Sequence, residues 1–274
     1  MAPKLAVLAG RGLLPVSVIE NAMAEGREVF VLAFEGETDP AVVAGRPHAW
    51  VRLGAVGRAI RLLHEAAVKE VVMIGAINRP SFANMRIDFR GMQVLAKLGL
   101  KAGQGDNHLL ETIARELESE GFRVIGADEL LTSNIAEEGV MTSAEPNGSA
   151  SRDIALGIDV ATTLGELDIG QAVVVQQGTV LGVEAIEGTD ALLCRVASLK
   201  RTGPGGVLVK MKKPCQDRRA DLPTIGVKTI EGAVAAGLEG IAVHAGYCLM
   251  ADRERIVEAA NQAGVFVIGV VGPD

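Results

Sequence analysis

Short apolar runs alternate with amphipathic stretches along most of the chain. KLAVLAG (residues 4 to 10) is an unbroken apolar run closed by glycine, the form of a strand buried on both faces. GRGLLP follows, and then VSVIENAMAEG, where Val16, Ile19, Ala22 and Met23 recur at helical spacing. Pro15 suits the first turn of that helix, where its missing N–H costs nothing. EVFVLAFEG (28 to 36) predicts a second strand and AWVRLG (49 to 54) a third. AVGRAIRLLHEAAV (55 to 68) is an amphipathic helix leading into the strand EVVMIGAI (70 to 77). A helical stretch through MQVLAKLGL, the helix NHLLETIARELESEG (107 to 121) and the short strand FRVIGA complete the first half. Strands alternating with helices predict an α/β fold with a Rossmann-like, doubly wound, mainly parallel sheet.

The pattern then lapses. LTSNIAEEGVMTSAEPNGSAS, Leu131 to Ser151, is polar, glycine-rich and aperiodic, the composition of a linker. The expected organisation is therefore two domains, residues 1–131 and 153–274, joined by 132–152. A helix from Asp153 to Leu164 opens the second domain. QAVVVQQGTVLGVEAIEG (171 to 188) reads as two strands joined at Gln177-Gly178, and DALLCRVASLK as a helix. TIEGAVAAGLEG is a helix with Thr229 as its N-cap. IAVHAGYCLMAD predicts a hairpin or a bulged strand, before the helix RERIVEAANQAG and the strand VFVIGVV. The second domain is thus α/β with a mixed sheet.

Composition narrows the function. The chain has 274 residues, 49% of them hydrophobic but only 3% aromatic, so its core is built from Val, Ile, Leu and Ala. A net charge of -7 argues against nucleic acid as a partner. No apolar run reaches the roughly 20 residues of a membrane span. Three cysteines, Cys194, Cys215 and Cys248, lack paired spacing and read as reduced thiols of a cytoplasmic protein.

The densest chemistry lies in GVLVKMKKPCQDRRADLPTIG, residues 206 to 226. Alternation puts Lys210 and Lys212 on one face as a strand leaves the core, and Pro214 stops the ladder. Lys213, Arg218, Arg219, Asp217 and Asp221 follow. Such a set could hold a phosphorylated ligand with a divalent metal, or form a solvated charged turn. Gly10 to Pro15 links the first strand to a helix, and reads equally as an anion site or a tight turn. Pro15 stands where a dinucleotide fingerprint needs its third glycine. Asn78 and Arg79 at a strand end suit a phosphate or a sugar hydroxyl, while Asp106 and Asn107 precede a helix as ordinary caps do. Thr189 and Asp190 open another helix, either as capping residues or as a phosphate contact and a metal ligand. The histidines His48, His64, His108 and His244 form no metal-ligand spacing, and His64 and His244 read as packing or surface residues.

AGRGLLP, GAINRP, GDNHLL, LDIGQAVVV, VLGVEAIEGTDALLCR and KMKKPCQDRRADLPTIG occur in this order. Together they resemble the LpxI-type UDP-2,3-diacylglucosamine diphosphatases of lipid A biosynthesis over nearly the whole chain. EGTDALL and Lys213 to Gly226 are the specific parts. Arg11 stands where that family usually has another glycine, and Cys215 and Asp217 fill variable positions. The resemblance implies hydrolysis of UDP-2,3-diacylglucosamine to UMP and 2,3-diacylglucosamine 1-phosphate, with Mg2+ (or Mn2+). It implies a cytoplasmic enzyme peripheral to the inner membrane. It makes Asp221 the key carboxylate, on the metal or activating water. Asp190 and Lys213 join it as catalytic candidates, Asp190 also as a metal ligand. Gly10, Gly12, Asn78, Arg79, Asp106, Thr189, Lys210, Lys212, Gln216, Arg219 and Thr224 are the expected substrate contacts. A homodimer is left open. The alternatives are a non-catalytic nucleotide-sugar or lipid-binding protein, or a Rossmann-type NAD-dependent dehydrogenase resting on the glycine loop and Glu35.

Overall fold

The structure, a computed structural model, describes residues 2–78, 86–99, 106–214, 216–219 and 221–272, with only the backbone at 98, 99 and 106–108. The chain divides into two units, Met1–Thr132 with Asp217–Asp221, and Ser133–Gln216 with Leu222–Asp274.

The first unit runs β1 (Leu5–Ala9), α1 (Leu14–Ala24), β2 (Val29–Phe34), α2 (Pro40–Val43), β3 (His48–Val51), α3 (Val56–Glu65), β4 (Glu70–Ile74), α4 (Phe89–Gly99), α5 (Asp106–Ser119), β5 (Arg123–Ile125) and α6 (Ala127–Leu130). Its five strands lie in the order β3-β2-β1-β4-β5, every pair parallel. This is the doubly wound sheet expected from the alternating pattern. The order reverses between β1 and β4, which is where open α/β sheets take ligands. All of β1 is buried, and Ala6 and Leu8 pack with Ile60 and Leu63 of α3 and Leu117 of α5.

The second unit runs β6 (Gly139–Val140), α7 (Gly148–Glu166), β7 (Ala172–Gln176), β8 (Thr179–Val183), α8 (Gly188–Val196), β9 (Val207–Lys210), β10 (Thr224–Ile225), α9 (Val227–Ala235), β11 (Gly240–His244), β12 (Leu249–Met250), α10 (Arg253–Ala263) and β13 (Phe266–Val270). Six strands form a mixed sheet in the order β6-β13-β11-β9-β7-β8, parallel from β13 through β11 to β9 and antiparallel elsewhere. Both faces are buried, so alternation sorts side chains rather than exposing half of them. Val173, Val175, Val207 and Val209 pack with Ile154 and Ala161 of α7. Val174 and Leu208 face the opposite way, onto Leu192 and Leu193 of α8, Ile230 of α9 and Ile256 of α10. Gly157 lets α7 lie close to β9, since a Cβ there would sit 2.4 Å from Val209 Cγ2.

Three local expectations change. The first helix of this unit begins at Gly148, because Asn147 caps it by accepting from the N–H groups of Ser149 and Ala150. Thr229 lies inside α9; extended Gly226 precedes that helix and donates its N–H to Thr229 Oγ1 at 3.1 Å. IAVHAGYCLMAD is not a hairpin: β11 already has parallel neighbours on both edges, so β12 leaves the sheet and pairs with β10.

The β7–β8 hairpin is as expected. Its turn residues Gln177 and Gly178 have φ of 52 and 70, the left-handed pair that a tight two-residue connection requires. Buried Asp153 of α7 fixes it, accepting from Gln177 N at 2.8 Å and Gly178 N at 2.7 Å. Asp153→Ala should therefore cost about 1–3 kcal/mol in urea unfolding. An unchanged midpoint would mean that water serves both N–H groups equally well.

Candidate functional site

In the second unit, the carboxyl ends of β9 and β11 gather the charged groups. Lys210 ends β9, paired with Val243 on one side and with Ala172 at the start of β7 on the other. It is only 6% exposed. Its ammonium donates to Thr189 Oγ1 and to the Thr224 carbonyl, each at 2.9 Å. Thr189, in the first turn of α8, donates its own hydroxyl proton to Glu184 Oε1 at 2.6 Å. Glu184 is also 6% exposed, and its other oxygen accepts from Gln171 N at 3.1 Å. Lys210, Thr189 and Thr224, three expected substrate contacts, thus belong to one buried chain that ends on a carboxylate.

Lys212 and Lys213 have other partners. Lys213 Nζ bonds Asp168 Oδ1 at 2.6 Å, and its backbone N–H donates to Gln216 Oε1 at 3.1 Å. Lys212 Nζ stands 4.9 Å over the Tyr247 ring, a cation–π contact, and its N–H donates to His244 Nδ1 at 3.3 Å. The neutral His244 ring then carries its proton on Nε2. The strand ends at Lys210, so the expected sharing of one face by Lys210 and Lys212 does not occur: the first ammonium turns to Thr189, the second to Tyr247. Asp190, one residue beyond Thr189, is exposed in the first turn of α8.

Beside Lys210, the Cys248 thiol is wholly buried, and desolvation pushes it up to about 12 against the smaller pull of the Lys210 charge. It is therefore a neutral packing group.

In the first unit, Gly10 and Gly12 flank Arg11 at the carboxyl end of β1. Gly10 is required by packing: a Cβ there would lie 2.6 Å from the carbonyl carbon and oxygen of Gly75 after β4. Gly12 has φ of +99, with open space where a Cβ would stand. Arg11 donates to Asn78 Oδ1 at 2.5 Å and pairs with Glu37 at 3.2 Å, and Asn78 N donates to the same carboxylate at 3.0 Å. Asn78 thus meets the expected glycine loop, through an arginine standing where the resemblance called for glycine. Arg79 lies outside the described residues, as does the Asp106 side chain, whose backbone begins α5.

Asp217–Asp221 is counted with the first unit. Arg219 bonds both oxygens of Asp217, at 3.0 and 2.7 Å, and also Glu118. The Arg219 hydrogen bond, ahead of its charge, holds the Asp217 carboxyl below its usual range. Arg218 pairs with Asp128 at 2.7 Å. Asp221 is exposed, and its N–H donates to the Asp217 carbonyl at 3.1 Å. Among the described residues no three of His, Cys, Asp and Glu stand together as metal ligands.

Sequence reasoning passed over Glu184, Asp168 and Tyr247, and read His244 as a packing or surface residue; the structure buries it, with its ring centroid 4.6 Å from that of Tyr247. His244 had one usable signal, its place as the last residue of a buried parallel strand. Glu184 had none, because its partner lies on the far side of a turn.

Residues 4–134 match the family model described as the LpxI N-terminal domain, and 137–268 that described as the LpxI C-terminal domain. Over 273 residues the chain is 41% identical to the UDP-2,3-diacylglucosamine pyrophosphatase LpxI of Caulobacter vibrioides, covering 97% of each chain. Among solved structures, the biotin carboxylase domain of a thermophilic 2-oxoglutarate carboxylase is 14% identical with a TM-score of 0.27, over 63% of this chain and 35% of that one. The same domain from Hydrogenobacter thermophilus is 11% identical with a TM-score of 0.27, over 72% and 42%. Likenesses of that degree bear on neither fold nor function.

Two outcomes follow from the packing. Gly10→Ala should cost about 1–3 kcal/mol in urea unfolding, because backbone must move to admit the methyl. An unchanged midpoint would mean that β1 and the Gly75 loop separate freely. At pH 8, iodoacetamide should modify exposed Cys194 but leave Cys248 unmodified until the protein unfolds, as read by peptide mass. Labelling of Cys248 in the folded protein would contradict its burial.

Proposed function

The chain belongs to the LpxI family, and on that premise we propose that it hydrolyses UDP-2,3-diacylglucosamine to UMP and 2,3-diacylglucosamine 1-phosphate in lipid A biosynthesis. The observation that carries this reading is kinship over the full length, 41% identity across 97% of both chains. A water oxygen bonds to the sugar-side phosphorus and the bridging P–O bond breaks. The bridging oxygen leaves with UMP.

The residues support such a reaction. Charge gathers on the phosphate oxygens and the leaving oxygen, so cations must already be in place. Lys212 and Lys213 are less deeply buried than Lys210, and they are assigned to the diphosphate. Asp221 is assigned to the attacking water, as orienting group or proton acceptor. Mg2+, with Mn2+ as alternative, belongs to the proposal. Asp221 in the first unit and Asp190 in the second are each exposed hard-oxygen donors of the kind such an ion would take. When bound, the ion would draw negative charge from the phosphates.

No helix among the described residues is long and apolar enough to cross a membrane. The proposed substrate is a glycolipid, so the enzyme would meet it peripherally, at the membrane surface.

Incubation with UDP-2,3-diacylglucosamine and magnesium in heavy-oxygen water should release UMP and place the heavy oxygen in the glycolipid product. Label in UMP would reverse the site of attack, and intact substrate would move the binding-protein reading to first place. Asp221→Ala should lower turnover at least about a hundredfold, with its unfolding temperature unchanged. Near-normal hydrolysis would remove Asp221 from the chemistry.

A further inference from the structure

Lys210 presents a difficulty that its own strand does not resolve. An ammonium only 6% exposed needs both hydrogen-bond acceptors and a counter-charge. Its acceptors, the Thr189 hydroxyl and the Thr224 carbonyl, are both neutral. The counter-charge lies one bond further on, at Glu184, which is buried to the same degree.

A hydroxyl has one proton. Thr189 spends it on Glu184, and this leaves its lone pairs turned to Lys210. Without that carboxylate the hydroxyl could rotate, and nothing would fix which way it presents itself. Glu184 is itself pinned three ways. Gln171 N–H occupies its second oxygen, its own N–H donates to the Ala172 carbonyl at 2.8 Å, and Gly170 lies directly against its carbonyl. A Cβ at Gly170 would come within 2.1 Å of that oxygen.

We infer that Glu184 is a positioning residue for the hydrolysis. By holding the Thr189 hydroxyl, it fixes the Lys210 ammonium and balances its charge beneath the carboxyl end of β9. The inference rests on the function proposed above and adds to it a residue that never touches the substrate. The order of events is set by geometry. The carboxylate orients the hydroxyl, the hydroxyl receives the ammonium, and the ammonium's field then acts on the bound diphosphate from a constant position.

A double-mutant cycle on the full chain tests this. The substrate is UDP-2,3-diacylglucosamine, kcat and KM are read separately, and thermal unfolding is measured for every variant. Glu184→Gln and Thr189→Val should each lower kcat about tenfold, the order expected when a buried hydrogen bond to a charged group is lost. KM should stay within about twofold, since the effect lies in the reacting state rather than in ground-state binding. The double variant should be no worse than the poorer single one, and Thr189→Ser, which keeps the hydroxyl, should recover most of the kcat that Thr189→Val loses. Should Glu184→Gln fail to fold, the contrast between Thr189→Val and Thr189→Ser decides alone. Effects that multiply in the double variant, or unfolding temperatures that fall while kcat holds, reduce Glu184 to a structural support and overturn the inference. A wild type without turnover overturns the proposed function first, and this inference with it.

Discussion

The placement of one buried ammonium governs the carboxyl end of the second unit's sheet. Lys210 is carried inward by the last pair of β9, in a strand buried along its whole length. Burying a charge costs several kcal/mol unless acceptors and an opposite charge are supplied. Here they come from separate pieces of the chain. β10 gives the Thr224 carbonyl, the first turn of α8 gives Thr189, and the end of β8 leads into Glu184. None of these pieces can shift without leaving a charge uncompensated. The loops that carry the unit's chemistry are therefore held by an electrostatic constraint as well as by apolar packing.

What the sequence disclosed, and what it withheld, follows the range of the forces involved. Short apolar runs between helical patterns were enough to read β1, β2, β4, β7, β9 and β13, because burial on both faces leaves polar residues only at their ends. The Gln177-Gly178 turn was legible for a local reason, since tight turns need residues that tolerate positive φ. The fate of β12 was not legible. Whether a strand folds back or leaves its sheet depends on which edges are already taken, and only the assembled sheet decides that. The early start of α7 was hidden because its first turn is small and polar, and the Asn147 cap that begins it resembles a linker residue.

The candidate site divides in the same way. Strand ends and helix starts can be found by pattern, so Lys210, Thr189, Asp190 and Asn78 were all picked out as chemistry-bearing. Their partners could not be. Glu184 lies five residues before Thr189 but meets it only because β8 runs into α8 through a turn closed by Gly188, with φ of +79. Asp168 reaches Lys213 across 45 residues of sequence, at a positive-φ position just past the end of α7. Arg11 is the most instructive case. In sequence it is only a glycine missing from a loop, whereas in the structure it ties Asn78 and Glu37 together.

Four of the five cations in residues 206 to 226 each have a carboxylate partner, while Lys212 stands instead over the Tyr247 ring. Lys213 has Asp168, Arg218 has Asp128, Arg219 has Asp217 and Glu118, and Lys210 has Glu184 through Thr189. The chain's net charge of -7 is consistent with carboxylates being this abundant. A cation already paired attracts a distant anion weakly, so general electrostatic pull on any polyanion is low. Surface pairs such as Arg218–Asp128 are worth little to break, while the pair through Thr189 is buried and costly. The surface pairs are therefore the ones open to exchange, with Lys210 staying where Glu184 holds it.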